Sequence, residues 1–309
     1  MKRDLVTLDG LSAEELRSLL ALAAQLKQQL AQGQAHPLLA GRTLVLVFEK
    51  PSLRTRVTFE TGMFQLGGHT VYLAPDDIGL GKRESVTDVA HALSQWVDVI
   101  AARTFAHQTV EELAAEASVP VINALSDLAH PCQVIADLLT IQESRGSLDD
   151  VRVAFLGDGN NVVNSWLMAT SKLGFDFTLA CPSGYEPEAG VLERACAAAT
   201  GSITITHDID EAVEGADVLY TDVWTSMGQE EETATRLQAF APYQLNQSVV
   251  DKATDGVIVM HDLPAHRGEE ITDEVIDGPA SVVMRQAENR MHAQKALLVW
   301  LLEATEAGS

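Results

Sequence analysis

The 309-residue chain is short of base: 21 lysines and arginines stand against 44 aspartates and glutamates, a formal net charge of −23, and only seven of the cations are lysines. Nucleic acid is therefore not an expected partner, because a phosphate backbone demands basic stripes. Cysteine is scarce as well. Cys132, Cys181 and Cys196 are odd in number and show no C-x-x-C spacing, which argues against a disulfide framework or a zinc ribbon and fits a reducing compartment. No run approaches the roughly 20 apolar residues that span a bilayer. Met1-Lys2-Arg3-Asp4 leads into an acidic amphipathic segment with no signal-peptide core. The expected setting is the cytoplasm, with no membrane partner. Internal repeats and low-complexity segments do not stand out.

What is present describes a globular chain, 46% hydrophobic and 21% charged, long enough for two domains with separate cores. Apolar β-branched runs alternate with helical patterns throughout. Thr43 to Val47, Thr70 to Leu73, Val99 to Ala102, Val119 to Asn123, Val151 to Leu156, Phe177 to Ala180, Ile203 to Ile205, Val218 to Thr221 and Val257 to Met260 read as strands. The expected fold class is α/β, two domains each with a parallel sheet and right-handed crossovers. Boundaries are expected at 1–145 and 146–286, with a C-terminal helix, 287–309, returning to the first domain. Leu11 to Gln32 should be a helix capped by Ser12, with Leu16, Leu19, Leu20, Ala23, Leu26 and Leu30 as its apolar stripe. Residues 74–85, rich in Gly and Asp, read as an exposed mobile loop.

The stretch that organises the rest is Phe48-Glu49-Lys50-Pro51-Ser52-Leu53-Arg54-Thr55-Arg56. It leaves a strand, turns at Pro51 and enters a helix. The first N–H groups of a helix lack partners and carry the positive end of its dipole. Ser52, Thr55 and the guanidiniums of Arg54 and Arg56 would complete a cradle for a phosphate or carboxylate. An N-capped helix whose arginines face water would read the same way.

Other strand ends carry further candidates. Arg103 ends one strand, and His130 and Gln133 open a helix after another. Asp222 follows the strand at 218–221, with Ser226 and Met227 beyond it, and His261-Asp262-Leu263-Pro264 follows the last strand. In open parallel sheets that is the end where ligands bind. Gly157-Asp158-Gly159 invites a dinucleotide reading, but Val162 stands where the third glycine belongs. The neighbouring Asn160 and Asn161 offer amides to a carboxylate or an amine. His261, Asp262 and His266 match no familiar metal spacing, and Pro264 prevents a continuous helix between them.

S-L-R-T-R at 52–56, A-R-T-F at 102–105, H-P-C-Q at 130–133, G-D-G-N-N at 157–161, D-V-W-T-S-M-G-Q-E at 222–230, H-D-L-P at 261–264 and E-N-R at 288–290 occur in this order. The series resembles the aspartate/ornithine carbamoyltransferase family, and D-x-x-x-S-M-G resembles its ornithine-specific members. The resemblance implies binding of carbamoyl phosphate by Ser52, Leu53, Arg54, Thr55, Arg103, His130, Gln133 and Arg290. It implies binding of L-ornithine by Asn161, Asp222, Ser226, Met227, Asp262 and Leu263, with Arg103, His130, Asp222 and Asp262 nearest the chemistry. It further implies carbamoyl transfer to the δ-amine in a cleft between two domains, no metal or organic cofactor, and a homotrimer or multiple of trimers. Two positions depart from the family pattern. Asp262 stands where a cysteine is usual, and Gly79 stands where a Gln or His usually reaches a neighbouring subunit. A non-catalytic paralogue and a transferase for another amine are the competing readings.

Overall fold

The apolar run at residues 43–48 forms β1 (Thr43–Phe48), and Ser52 then caps a helix as its position after Pro51 demands. A computed structural model describes residues 2–226 and 228–306. The chain divides into two units, residues 1–139 with 288–309, and residues 140–287.

In the first unit α1 (Ala13–Ala31), β1, α2 (Leu53–Gln65), β2 (His69–Leu73), α3 (Pro75–Ile78), α4 (Val86–Leu93), β3 (Val99–Arg103), α5 (His107–Glu116), β4 (Val121–Leu125) and most of α6 (Pro131–Arg145) follow one another. The four strands form a parallel sheet in the order β2-β1-β3-β4. Val45, Val47, Ile100, Ala102 and Val121 pack one sheet face against Val89, Val110 and Leu113. The capping box of Ser12 and Glu15 starts α1, and Leu16, Leu19, Leu20, Ala23 and Leu26 are buried. Leu30, expected in that stripe, is 36% exposed because the helix ends one residue later. Residues 74–85 are mostly exposed, as expected, with one short helix and one anchoring residue among them. Pro75 starts the short α3, Leu80 bridges Glu84, and Leu80 is buried against the core.

The second unit runs β5 (Arg152–Leu156), α7 (Asn161–Leu173), β6 (Asp176–Ala180), α8 (Ala189–Ala198), β7 (Ile203–Thr206), α9 (Ile209–Val213), β8 (Val218–Thr221), α10 (Thr233–Phe240), α11 (Gln247–Val250), β9 (Ile258–His261) and α12 (Asp273–Ile276). Its five strands are parallel, in the order β7-β6-β5-β8-β9. Trp166 is fully buried on α7, stacked on Phe177 and edge-on to Tyr220. The opposite sheet face, with Leu156, Leu219 and Val259, meets Tyr243, Leu245 and Val275. The last helix, α13 (Val283–Glu306), starts four residues before the expected Ala287, because the Gln286 N–H already bonds the Val282 carbonyl.

Candidate functional site

Each sheet has a topological switch point, where successive connections leave in opposite directions and open a crevice at the strands' carboxyl ends. In the first unit it lies between β1 and β3, in the second between β5 and β8. Ser52 and Arg103 stand at the carboxyl ends of β1 and β3, and Asn160 and Asp222 at those of β5 and β8, the strands that flank these two places.

In the first unit, Ser52 caps α2 by accepting the Thr55 N–H at 3.3 Å. The cap stabilises the helix by about 1 kcal/mol and fixes the two hydroxyls together, Ser52 Oγ donating to Thr55 Oγ1 at 3.1 Å. Arg290, 97% buried on α13, donates from Nη2 to Thr55 Oγ1 at 3.2 Å and from Nη1 to Gln133 Oε1. Gln133, first turn of α6, is held in turn by donating to Asp137 at 2.8 Å. Arg103 arrives at the end of β3 and is buried.

His130, immediately before α6, reports the charge around it. Burial pushes its imidazole well below the usual 6.5, and the cations Arg290, Arg103, Lys50 and Arg54 push it the same way. Four positive groups therefore converge on one neutral ring. Such an arrangement is self-repelling when empty and attracts an anion of more than one charge. A neutral imidazole there can donate to a carbonyl oxygen without adding to the repulsion.

Lys50 belongs to this set although the sequence reading passed over it. It is buried with its ammonium 4.9 Å from the Phe105 ring. Burial and then Arg103 push it down to about 8, while Asp127 and Glu49 pull the other way. The signal was a cation at a strand's carboxyl end just before the anion loop. Arg56 is the opposite case. It lies over the Tyr72 ring at 3.7 Å and bonds Glu60 at 2.9 Å, so it is outside the cradle expected for it. One residue of helix, 100°, separates its side chain from that of Thr55. Leu53 is 74% exposed and contributes at most its backbone.

In the second unit Asp222 is buried at the end of β8. It accepts from the Val223 N–H at 2.6 Å and from Asn160 Nδ2 at 2.8 Å. Asn160 also caps α7 through Oδ1, at 2.9 Å from the Val162 nitrogen and 3.2 Å from that of Val163. The amide that orients Asp222 is thus Asn160, while Asn161, expected to bind ornithine, starts α7 and accepts the Ser165 hydroxyl on its backbone carbonyl. One carboxylate oxygen each from Asp222 and Asp262 and a ring nitrogen of His261 lie within 4.8 Å of one another.

His261 is oriented on both sides. Nε2 donates to Glu270 at 3.0 Å, and Nδ1 accepts the Leu263 N–H at 2.8 Å, the turn being made by Leu263 at φ 62°. Both ring nitrogens are occupied, so the trio is a poor metal site. Two carboxylates around a small space suit an ammonium instead. His266, the third member of the metal reading, falls beside Glu269 and Glu270.

The Ser226 segment is held from outside. Its N–H bonds Gln229 Oε1 at 3.1 Å, and Gln229 N–H returns to the Ser226 carbonyl at 3.0 Å. Buried Arg236 donates to the Trp224 carbonyl at 2.9 Å and to Asp158 at 2.8 Å, tying this segment to the Gly157–Gly159 turn. The Asp158 carboxyl is raised above its usual range, first by burial and also by the charges of Asp222 and Glu232, with Arg236 pulling the other way. Met227 lies outside the described residues. Gly159 is required by its own chain: a Cβ there would stand 2.4 Å from the Pro187 nitrogen. Close backbone packing accounts for Gly159 without a dinucleotide, and Gly157 has φ 142°, a conformation that favours glycine.

These two sites suit a multiply charged anion in one unit and a cationic amine in the other. Residues 3–143 match the carbamoyl-P binding domain of aspartate/ornithine carbamoyltransferase, and residues 149–301 match its Asp/Orn binding domain. An ornithine carbamoyltransferase of Geobacillus stearothermophilus is 53% identical over 303 residues, covering 97% of both chains. One from Syntrophus aciditrophicus is 48% identical over 302 residues, 98% of this chain and 100% of the relative. The solved ornithine carbamoyltransferase of Pyrococcus furiosus superposes with a TM-score of 0.93 at 50% identity, covering 96% of each chain. The chain belongs to the aspartate/ornithine carbamoyltransferase family.

Proposed function

We propose that this protein transfers the carbamoyl group of carbamoyl phosphate to the δ-amine of L-ornithine, giving L-citrulline and phosphate. The observation that carries the reading is the convergence of Arg54, Arg103, Arg290 and Lys50 on a neutral, buried His130. A phosphate dianion at the start of α2 relieves their repulsion. The nucleophile must lack a proton, whereas an alkyl ammonium of lysine type has a pKa of about 10.4. Asp222 and Asp262 hold it by charge. Solvent takes one proton from the ammonium; the nitrogen then attacks the carbonyl carbon, and as the C–O bond to phosphate breaks with its electron pair the departing phosphate takes the nitrogen's second proton. Thr55, Arg103 and His130 face the oxygen on which negative charge grows, the kind of donor whose loss costs about 3 kcal/mol. Ser226 and Asn161 serve the amino-acid end of ornithine, with the backbone of Met227 and Leu263. No step calls for a cofactor.

The test is citrulline formation from carbamoyl phosphate with ornithine, putrescine or N-acetylornithine supplied separately. Ornithine alone should give turnover. Turnover only with another amine would transfer the assignment to that amine, and none at all would leave a binding protein.

A homotrimer is the assembly we propose. Leu53, Val57 and Phe64, spaced four and seven residues apart on α2, are 74%, 48% and 78% exposed, beside the edge strand β2 with Val71 at 38%. A charged chain with this apolar stripe gains by covering it with a second copy. Sedimentation equilibrium should give three times 33.3 kDa or a multiple of that, and a monomer would refute it. The compartment we propose is the cytoplasm, supported by three thiols of which none is in a disulfide; recovery of the protein outside the cytosolic fraction would refute it.

A further inference from the structure

Lys295 is fully buried on α13, five residues beyond Arg290. Its partners are a histidine and an amide: Nζ lies 2.5 Å from His36 Nε2 and 2.9 Å from Gln65 Oε1. His36 Nδ1 is 3.0 Å from the Gln34 carbonyl, which can only accept. The proton is therefore on Nδ1, and Nε2 presents a lone pair to the ammonium. Burial pushes Lys295 down to about 8. An ammonium held by neutral acceptors alone is a costly way to fill a core position, since an apolar side chain of similar volume is often as stabilising or more so.

The position of this ammonium explains what the cost secures. The lysine stem crosses α2 at Gly62, where a Cβ would come within 3.0 Å of Lys295 Cγ and 3.8 Å of Met291 Cγ. Two points thus register α13 on α2. One is Arg290 on Thr55, at the anion site. The other is Lys295 on Gly62 and Gln65, about two to three turns along α2, with His36 adding the segment before β1. Apolar packing alone lets a helix slide or rotate by fractions of an ångström, whereas a three-donor group aimed at fixed acceptors does not.

We propose that Lys295, aimed by His36 and Gln65, is a positioning residue for carbamoyl phosphate: it sets α13 on α2 so that the Arg290 guanidinium meets Thr55 and Gln133. The inference rests on the reading of this site given under the proposed function, and it concerns affinity, not the chemical step.

The test is Lys295→Met in the full chain. Melting temperature should be unchanged or higher, the KM for carbamoyl phosphate should rise about tenfold, and the KM for ornithine should stay within twofold. His36→Gln, which keeps an acceptor near the Nε2 position, should retain the wild-type KM for carbamoyl phosphate, while His36→Leu should raise it as Lys295→Met does. Unchanged carbamoyl-phosphate KM in both Lys295→Met and His36→Leu would overturn the proposal, as would equal rises for both substrates. If Lys295→Met does not fold, His36→Leu against His36→Gln decides alone. A wild type that makes no citrulline would instead sink the parent reading, and calorimetric affinity for inorganic phosphate across the same variants would then decide this one.

Discussion

Arg54→Ala is expected to lower turnover by roughly two to three powers of ten, the range found when one preorganised donor to a developing negative charge is removed, while leaving the protein folded. The fold should tolerate it for a physical reason. Arg54 is half-buried in the first turn of α2, where its backbone carbonyl accepts the Thr58 hydroxyl at 2.5 Å, a bond that an alanine keeps. The helix cap is supplied by Ser52 and is untouched. In the empty protein the guanidinium adds to the positive field on His130, together with Arg290, Arg103 and Lys50, so deleting it relieves like-charge repulsion. The melting temperature without ligand should therefore hold or rise slightly as activity collapses. Carbamoyl phosphate should stabilise the variant much less than the wild type, because stabilisation by a ligand follows its affinity. Steady-state assays paired with thermal melts, with and without carbamoyl phosphate, check both halves. A variant that keeps its citrulline rate would remove Arg54 from the mechanism.

The parallel α/β architecture was readable because its signals are local. Thr43 to Val47 is β-branched and apolar, Pro51 and Ser52 mark a stop and a cap, and Asn160 and Ser12 sit where helices must begin. Arg103, His130 and Gln133 were legible from their places at strand and helix ends, Arg290 only as a member of an ordered series of short motifs, and the structure brings all four to the start of α2 with Arg54 and Thr55. What escaped depends on pairs remote in sequence. Nothing near Lys50 announces that Arg103 and Asp127 will surround it. Nothing near Arg236 announces Asp158, 78 residues away. Arg56 failed for a different reason: the letters S-x-R-T-R treat the two arginines alike, whereas the helical period sends one toward the site and the other onto Tyr72. The stretch 74–85 is largely exposed as its Gly and Asp content suggests, and the part that content hides is a single apolar residue, Leu80, which fastens it to the core.

The second large effect is expected at Asp222. Asp222→Asn keeps the shape and removes the charge, and the ornithine KM should rise by roughly 30- to several thousand-fold, since losing one partner of a desolvated charge pair costs about 2–5 kcal/mol. Carbamoyl-phosphate affinity should change little. The substitution also forces a choice on Asn160, whose Nδ2 donates to Asp222 Oδ2 while Val223 N–H occupies Oδ1. An asparagine has one acceptor oxygen for the two donors, so one bond is lost and the oriented amide group with it. Asp262→Cys probes the other carboxylate, which lies within 4.8 Å of the same place, and should act on pH dependence more than on affinity. Two carboxylates stabilise the charged form of ornithine's δ-ammonium more than one, so they hold its proton on to higher pH. A neutral thiol at 262 relaxes that hold, the amine loses its proton at lower pH, and the acid limb of the kcat profile should move toward acid. Profiles of kcat against pH for wild type and Asp262→Cys at saturating ornithine measure the displacement. Superimposable profiles would mean that Asp262 does not face the amine, leaving Asp222 as the sole charge that holds it.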